Sequence, residues 1–446
     1  MSKTIKADRI MISSTGSGKG KTFLTLLLLK SLKDKGEDVH AFKCGPDYID
    51  PHYHEAVLKI PSKNIDPYFM DEALMKASFA DGAGGINIIE GCMGLYDGIG
   101  QSSRASCYES AKMLRVPIVL CMDAGGMGYS IVAEIKGFKA ADTEDLIKGV
   151  ILNRISKSYY ERIAPVIENE CGVKALGYLP CLKESSFDSR HLGLLSPKEA
   201  DAMAKIERSM PQAANSLDIN GIMEIAKGAG SITAGPEFSD LIKKEDDEGA
   251  VIAVARDEAF DFYYKDNIEA LKLAGARISY FSPIRDKELP EGTRGLYIGG
   301  GYPELYKELL EENAGLRRQI KEVLDAGMPA IAECGGFMYL CDRIDGSEMT
   351  GFFDDEAQKT DGSVRFGYVE GRYKETVIKG HEFHHYDVTD PGDAFLMINA
   401  GSGVKYRAVH KKKRVLAGFP HFYFMSAPGF AVDYMKSVKE YSDENR

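Results

Sequence analysis

Two short stretches in this 446-residue chain combine residue types that could do chemistry. The first is Ser13-Ser14-Thr15-Gly16-Ser17-Gly18-Lys19-Gly20-Lys21-Thr22, which follows an apolar run at 9–14 and leads into a segment of good helix formers at 21–35. Strand, Gly-rich turn and helix in that order form a phosphate cradle. The backbone N–H groups of Gly16, Ser17, Gly18 and Gly20 can curl around phosphate oxygens, Lys21 can reach the β/γ-phosphates, and the Thr22 hydroxyl can ligate Mg²⁺. The usual spacing asks for Gly where Thr15 stands. The second stretch is Cys334-Gly335-Gly336, between the strand-like run 330–333 and a helical pattern at 337–340. A nucleophile on a sharp strand-to-helix turn is exposed at the sheet edge, and the helix dipole is expected to lower its thiol pKa. The Gly335 N–H could face an oxyanion, with a second donor from Gly300 in the Gly299-Gly300-Gly301 loop. A thiolate needs a base, and His381, His384, His385 and His421 all lie downstream; spacing alone does not choose among them.

A nucleotide site that uses Mg²⁺ also needs hard oxygen ligands at neighbouring strand ends. Two places offer them. One is Lys43-Cys44-Gly45-Pro46-Asp47-Tyr48-Ile49-Asp50-Pro51, after the run 39–43. The other is Glu90-Gly91-Cys92-Met93-Gly94-Leu95-Tyr96-Asp97-Gly98, after 86–89. Taken alone, each Asp fits a turn residue bonded to its own backbone. Beside a phosphate loop they become candidate ligands.

The elements that must position these groups are short apolar runs alternating with helical patterns: 9–14, 39–43, 86–90, 117–122, 149–153 and 175–179 in the first half, then 251–255, 277–281, 296–298 and 330–333. Such alternation predicts parallel α/β sheets. Strand signals fade between 206 and 249, where the polar stretch 243–249 suggests a boundary. The expected organisation is therefore 1–205, a boundary region 206–249, and 250–446. Gly36 is placed to stop the first helix in a left-handed cap.

Composition limits the function classes. Hydrophobic residues at 44% and charged residues at 28% are ordinary for a globular protein, and no apolar run approaches a membrane span. The polar start lacks a secretory signal, which favours the cytoplasm. A net charge of -11 argues against general nucleic-acid binding. The basic run 410–414 reads as a solvated turn. Eight cysteines without a CxxC pair fit neither a disulfide framework nor structural zinc, so the seven besides Cys334 read as bystanders.

With these motifs in order, the chain resembles the cobyrinate a,c-diamide synthase family. The resemblance rests on Gly-Pro-Asp-Tyr-Ile-Asp-Pro at 45–51, Asn-Ile-Asp-Pro at 64–67, Glu-Gly-Cys-Met-Gly-Leu-Tyr-Asp-Gly at 90–98, Gly-Val-Ile-Leu-Asn-Arg at 149–154 and Arg-His-Leu-Gly-Leu at 190–194. It implies an N-terminal P-loop domain similar to dethiobiotin synthetase and a C-terminal class I glutaminase domain of flavodoxin-type α/β fold. Lys21 and Thr22 would bind phosphate and Mg²⁺, Asp47 and Glu90 would complete the metal site, and Asn153 would face adenine. Asp50 and Asp97 would lie near the substrate or the phosphoryl transfer. The base would be His421, in Ala417-Gly418-Phe419-Pro420-His421. Many class I glutaminases carry Glu two residues after that His; here Tyr423 implies a Cys–His dyad.

The implied reaction uses ATP to convert a carboxylate to an acyl phosphate, and L-glutamine as the source of ammonia generated at Cys334. The acceptor would be a tetrapyrrole polycarboxylate, amidated on its a and c side chains. Nickel-sirohydrochlorin and hydrogenobyrinate are alternative acceptors, and a homodimer is compatible with the pattern. A rival of another class is a partition-type P-loop ATPase. Its signature Lys is replaced by Gly16, and it has no use for the Cys334 turn.

Overall fold

The computed structural model describes residues 4–181, 204, 207–209, 211, 215–242 and 249–445. The 190–194 motif and the polar stretch 243–248 lie outside the described residues. The chain divides into two compact units, Met1–Pro236 and Glu237–Arg446.

The first unit is built on seven parallel strands: β1 (Asp8–Ser14), β2 (Val39–Cys44), β3 (Ser62–Ile65), β4 (Ile86–Glu90), β5 (Ile118–Asp123), β6 (Ile147–Asn153) and β7 (Lys174–Leu179), in spatial order β3-β2-β4-β1-β5-β6-β7. The runs read as strands all form strands. Their residues are almost continuously apolar because helices cover both faces of a parallel sheet. β3 was not expected; its Ser-Lys-Asn-Ile sequence carries no apolar run. Helix α1 (Lys21–Asp34) starts at the end of the central strand β1 and buries Leu24, Leu26, Leu27, Leu28 and Leu29 completely. Gly36 follows at φ +79° in the left-handed conformation that only glycine adopts without strain.

Part of the expected boundary segment is built into this unit. The helix Ile219–Lys227 buries Ile222 and Ala226 in the same apolar cluster as β1 and α1. Arg9, fully buried, donates to the carbonyls of Leu114, Ala7, Arg115, Ala229 and Gly230, which ties the 229–230 turn to the sheet. A buried guanidinium is tolerated only when its donors are met in this way.

The second unit carries a six-stranded sheet of β8 (Ala250–Ala255), β9 (Ala276–Phe281), β10 (Thr293–Ile298), β11 (Ala330–Glu333), and two later strands. Helix α2 (Gly335–Leu340) leaves the end of β11. An antiparallel sheet that sequence reasoning did not foresee adds β12 (Arg365–Tyr373), β13 (Thr376–His384), β14 (Phe395–Asn399) and β15 (Lys405–Ala408). The chain then returns to the first sheet through β16 (His410–Lys412) and β17 (Val415–Gly418), and β18 (His421–Phe422) crosses back to pair with β13. The orders are β9-β8-β10-β11-β17-β16 and β15-β14-β12-β13-β18. The basic run 410–414 is therefore not simply a turn: His410–Lys412 forms an exposed edge strand, where lysines discourage pairing with another chain. Among the described residues no helix is long and apolar enough to cross a membrane.

Candidate functional site

At the end of β1 the loop 14–20 folds over the start of α1. Lys21 Nζ donates to Ser14 Oγ and to the Gly16 carbonyl at 2.9 Å each, and to the Met93 carbonyl at 2.5 Å. Burial, with Lys43 nearby, lowers its pKa. Ser14 thus anchors the lysine. Gly20, at φ +98°, has no room for a side chain, because a Cβ there would stand 2.4 Å from Asn153 Nδ2. Asn153 donates to the Lys19 carbonyl at 2.9 Å, and Arg154 reaches Asp123 Oδ2 at 2.9 Å and the Gly18 carbonyl at 3.3 Å. The end of β6 therefore buttresses the loop from outside. Ser17 and Gly18 are exposed on its crest.

Parallel pairing of β1, β4 and β2 brings Glu90 beside Thr22, whose hydroxyl donates to Glu90 Oε1 at 2.6 Å. Around Glu90 lies a buried charge cluster. Lys43 Nζ bonds Asp50, lies 3.2 Å from Glu90 Oε1 and 3.7 Å from Asp47 Oδ2. His54, fully buried, contacts Glu90 Oε2 at 3.2 Å and Ser62 Oγ at 2.9 Å. Burial opposes ionisation of Glu90, but Lys43 and His54 outweigh it and hold the carboxyl far below the usual range. Burial and the neighbouring Glu90 push Asp50 the other way. For Lys43, burial is outweighed by Asp50 and Glu90, so it stays charged.

Thr22 and Glu90 offer a hydroxyl and an ionised carboxylate, hard oxygens of the kind Mg²⁺ takes alongside phosphate oxygens and water. Among the described residues no cluster of three or more His, Cys, Asp or Glu could hold a metal without other ligands. Asp47 lies beside this pair through Lys43, with its Oδ1 accepting from Ile49 N at 2.8 Å. Asp97 is exposed and accepts from Gly94 N at 2.8 Å. Both thus make the turn bonds their local sequence suggests. Lys43 and His54 were not singled out in the sequence, although the Lys43, Asp47, Asp50 spacing was visible.

In the second unit Cys334 is the turn between β11 and α2. Its φ of +49° and ψ of -107° lie outside the regions favoured by an L residue, as a nucleophile elbow requires. The elbow is fixed by Cys334 N donating to the Gly418 carbonyl at 2.8 Å. Small residues make the turn fit: a Cβ on Gly335 would meet Pro303 Cδ at 2.7 Å, and one on Gly336 would meet the Ile298 carbonyl at 2.1 Å. The Gly299–301 loop therefore lies directly against the Cys334 turn. Burial raises the thiol to about 12, aided by Glu304 and partly offset by a hydrogen bond from the Gly335 N–H. The expected lowering by the helix dipole is thus overturned. Six residues of helix do not compensate for burial, and the thiol needs a base.

His421 supplies one candidate. It opens β18, is 3% exposed, and lies so close to Gly300 that a Cβ there would be 2.3 Å from His421 Cε1. Gly300 thus joins His421 to the loop that touches Gly335. Burial, with His384 nearby, pushes His421 down to about 3, so the imidazole stands neutral. Its ring stacks on His381, centroids 4.8 Å apart and planes within 11°. His381 is its cross-strand partner and contacts the Tyr264 hydroxyl through Nδ1 at 2.9 Å. His384 stacks on Phe419 and bonds the Tyr386 carbonyl, while His385 is exposed. Tyr423, at the position where a Glu was absent, donates to Asp266 at 2.6 Å. Glu333 joins the two strands: its Oε1 accepts from Phe422 N and its Oε2 from the Tyr297 hydroxyl, both at 2.9 Å. Neither Glu333 nor Tyr264 was identifiable as part of a site from sequence.

The family described as the CobB/CobQ-like glutamine amidotransferase domain matches residues 251–429, and the CobQ/CobB/MinD/ParA nucleotide binding domain matches 10–193. The cobyrinate a,c-diamide synthase of Clostridium tetani is 38% identical over 97% of this chain and 99% of its own length. That of Clostridium acetobutylicum is 39% identical over 96% and 99%. That of Caldanaerobacter subterraneus is 39% identical over 97% of each chain. With both domains matched in order and similarity extending over nearly the whole length, the chain belongs to the cobyrinate a,c-diamide synthase family of glutamine-dependent amide ligases.

Proposed function

We propose that the chain amidates the a and c acetate side chains of cobyrinate in the cytoplasm, using one ATP and one glutamine for each. The observation that carries this reading is that one chain holds both a phosphate loop around Lys21, Thr22 and Glu90 and a strained Cys334 elbow whose Gly335-Gly336 turn packs on the Gly299–301 loop, against which the buried His421 also lies. A carboxylate is a poor electrophile and free ammonia is scarce at neutral pH, so each half meets one need.

In the first half a substrate carboxylate oxygen attacks the γ-phosphorus of ATP, and ADP departs. The loop N–H groups of Gly16, Ser17, Gly18 and Gly20, with Lys21, hold the phosphates and balance their charge. Mg²⁺, held by Thr22 and Glu90 with Asp47 nearby, would supply further neutralisation of phosphate charge. Asp50 and Asp97 serve at the substrate end of this site. Asn153 fixes the loop through Lys19, next to the adenine side that we assign to it.

In the second half His421 takes the Cys334 proton as sulfur attacks the glutamine amide carbon. Gly335 and Gly300 are the proposed donors to the oxyanion. The imidazolium then protonates the leaving ammonia, and water hydrolyses the thioester to glutamate. Ammonia displaces phosphate from the acyl phosphate to give the amide.

The test is to incubate the protein with Mg²⁺, ATP, glutamine and, separately, cobyrinate, nickel-sirohydrochlorin and hydrogenobyrinate. Mass spectrometry should find exchange of two hydroxyls for amino groups, fastest on cobyrinate. A faster reaction on either other macrocycle would reassign the acceptor.

A further inference from the structure

β18 is two residues long and lies at the edge of the antiparallel sheet, with β13 as its one strand neighbour among the described residues. The N–H and C=O groups that an edge strand turns outward have no ladder partner, and where they are buried they need another. Phe422 is buried, and two side chains stand where the next strand would be. Glu333, at the end of β11, accepts from the Phe422 N–H at 2.9 Å. Asn267, in the helix Lys265–Leu273, donates to the Phe422 carbonyl at 2.7 Å and accepts from the Phe424 N–H at 2.8 Å. Tyr297 on β10 ties the two together: its hydroxyl donates to Glu333 Oε2 at 2.9 Å and accepts from Asn267 Nδ2 at 3.3 Å. Glu333 and Asn267 are themselves buried.

The sequence neighbours of the bonded residues are the two chemical groups: Glu333 precedes Cys334, and His421 precedes Phe422. The segment 418–422, which carries the base, is therefore fastened at both ends to the dipeptide that carries the nucleophile. At one end the Gly418 carbonyl accepts from the Cys334 N–H at 2.8 Å, and at the other the Phe422 N–H reaches Glu333. His421 sits between these fastenings, against the loop on which the Cys334 turn packs. We propose that Glu333 and Asn267 are positioning residues of the glutaminase dyad, holding the Phe422 backbone so that His421 keeps its place relative to the Cys334 elbow. The inference rests on the glutaminase reading of this half, for which it names what holds the base. Both residues act through the backbone of β18, so their loss should fall on turnover and not on glutamine affinity. Burial pushes Glu333 up to about 8. At neutral pH its carboxyl is thus uncharged, and a glutamine in its place keeps an oxygen that accepts from Phe422.

The test is steady-state glutamate release from glutamine by the full-length protein, with amidation driven by ammonium chloride measured beside it. Glu333→Ala should lower kcat by about ten- to a hundredfold, the scale of a reacting group displaced by up to about 1 Å, with KM for glutamine within about threefold of the parent. Its ammonium-driven amidation should proceed at the parental rate. Glu333→Gln, which retains the acceptor, should restore kcat to within about threefold of the parent. Asn267→Ala, which releases the same strand through its other groups, should reproduce the pattern of Glu333→Ala and carries the test if that variant does not fold. Parental kcat in either alanine variant, a loss confined to KM, or no rescue by Glu333→Gln would overturn the assignment. If the parent itself releases no glutamate, the glutaminase reading falls and the inference falls with it.

Discussion

Replacing Gly300 by Ala should disable the glutaminase while leaving the fold intact. The backbone of Gly300 is not in the left-handed region, so alanine brings no backbone strain. The added methyl would lie 2.3 Å from His421 Cε1 and 3.2 Å from its Nε2, where ordinary contact begins at 3.4 Å. His421 cannot retreat freely: it is 3% exposed and stacked on His381, which is held by Tyr264. The ring must therefore shift by about 1 Å, and a displacement of that size at a reacting group costs about a hundredfold in rate. Overpacking should cost about 1–3 kcal/mol of stability. The assay is glutamate release from glutamine, compared with amidation driven by ammonium chloride, which should proceed at the parental rate. Gly315→Ala, where nothing stands within 4 Å, is the control. Parental glutaminase activity in Gly300→Ala, or an equal loss of ammonia-driven amidation, would refute the placement of His421 against the Gly300 loop.

Cys334→Ser should abolish amidation from glutamine and spare amidation from ammonium salts, measured by product mass. Lys21→Ala and Glu90→Gln should impair amidation from both nitrogen sources, by tenfold or more on the order expected for a lost phosphate or metal contact, with glutamate release in the absence of acceptor much less affected. Glu333→Gln should change the pH dependence of stability. Burial raises Glu333 from 4.5 to about 8, so the native state binds its proton more tightly than the unfolded chain. The stability this proton contributes is complete below pH 4.5 and is lost as pH rises through about 8. Relative to the parent, the glutamine variant should gain stability across that interval, by at most about 5 kcal/mol by linkage. Denaturant unfolding at pH 5 and pH 9 checks it, and an equal difference at both would contradict the assignment.

The central parallel strands were legible because they are buried on both faces and read as apolar runs, whereas the edge strand β3, Ser-Lys-Asn-Ile, was not. β1, β4 and β11 carry the phosphate loop, Glu90 and Cys334, so the motifs at their ends were legible with them. The antiparallel sheet was not. β12 reads Arg-Phe-Gly-Tyr-Val-Glu-Gly-Arg-Tyr, with only Val369 and Gly371 buried, so its apolar and polar residues do not alternate cleanly. Its contribution beside the candidate base, the pairing of His381 with His421, is set by cross-strand register, which local composition does not encode. Lys43 was passed over for a related reason. A lysine at a strand end reads as solvated, and it is buried here because Asp47, Asp50 and Glu90 converge on it from two strands' ends. The thiol of Cys334 went the other way from expectation because burial, invisible to a motif, outweighs a short helix.

The central claim is that nitrogen released at Cys334 becomes the amide of an ATP-activated carboxylate. Mass spectrometry of the cobyrinate product formed with ATP and amide-¹⁵N-labelled glutamine tests it most directly. The parent protein should place the label in both new amides, and Cys334→Ser should place none there while still forming unlabelled diamide from ordinary ammonium chloride. Labelled diamide from Cys334→Ser, or labelled product formed by the parent without ATP, would contradict the account.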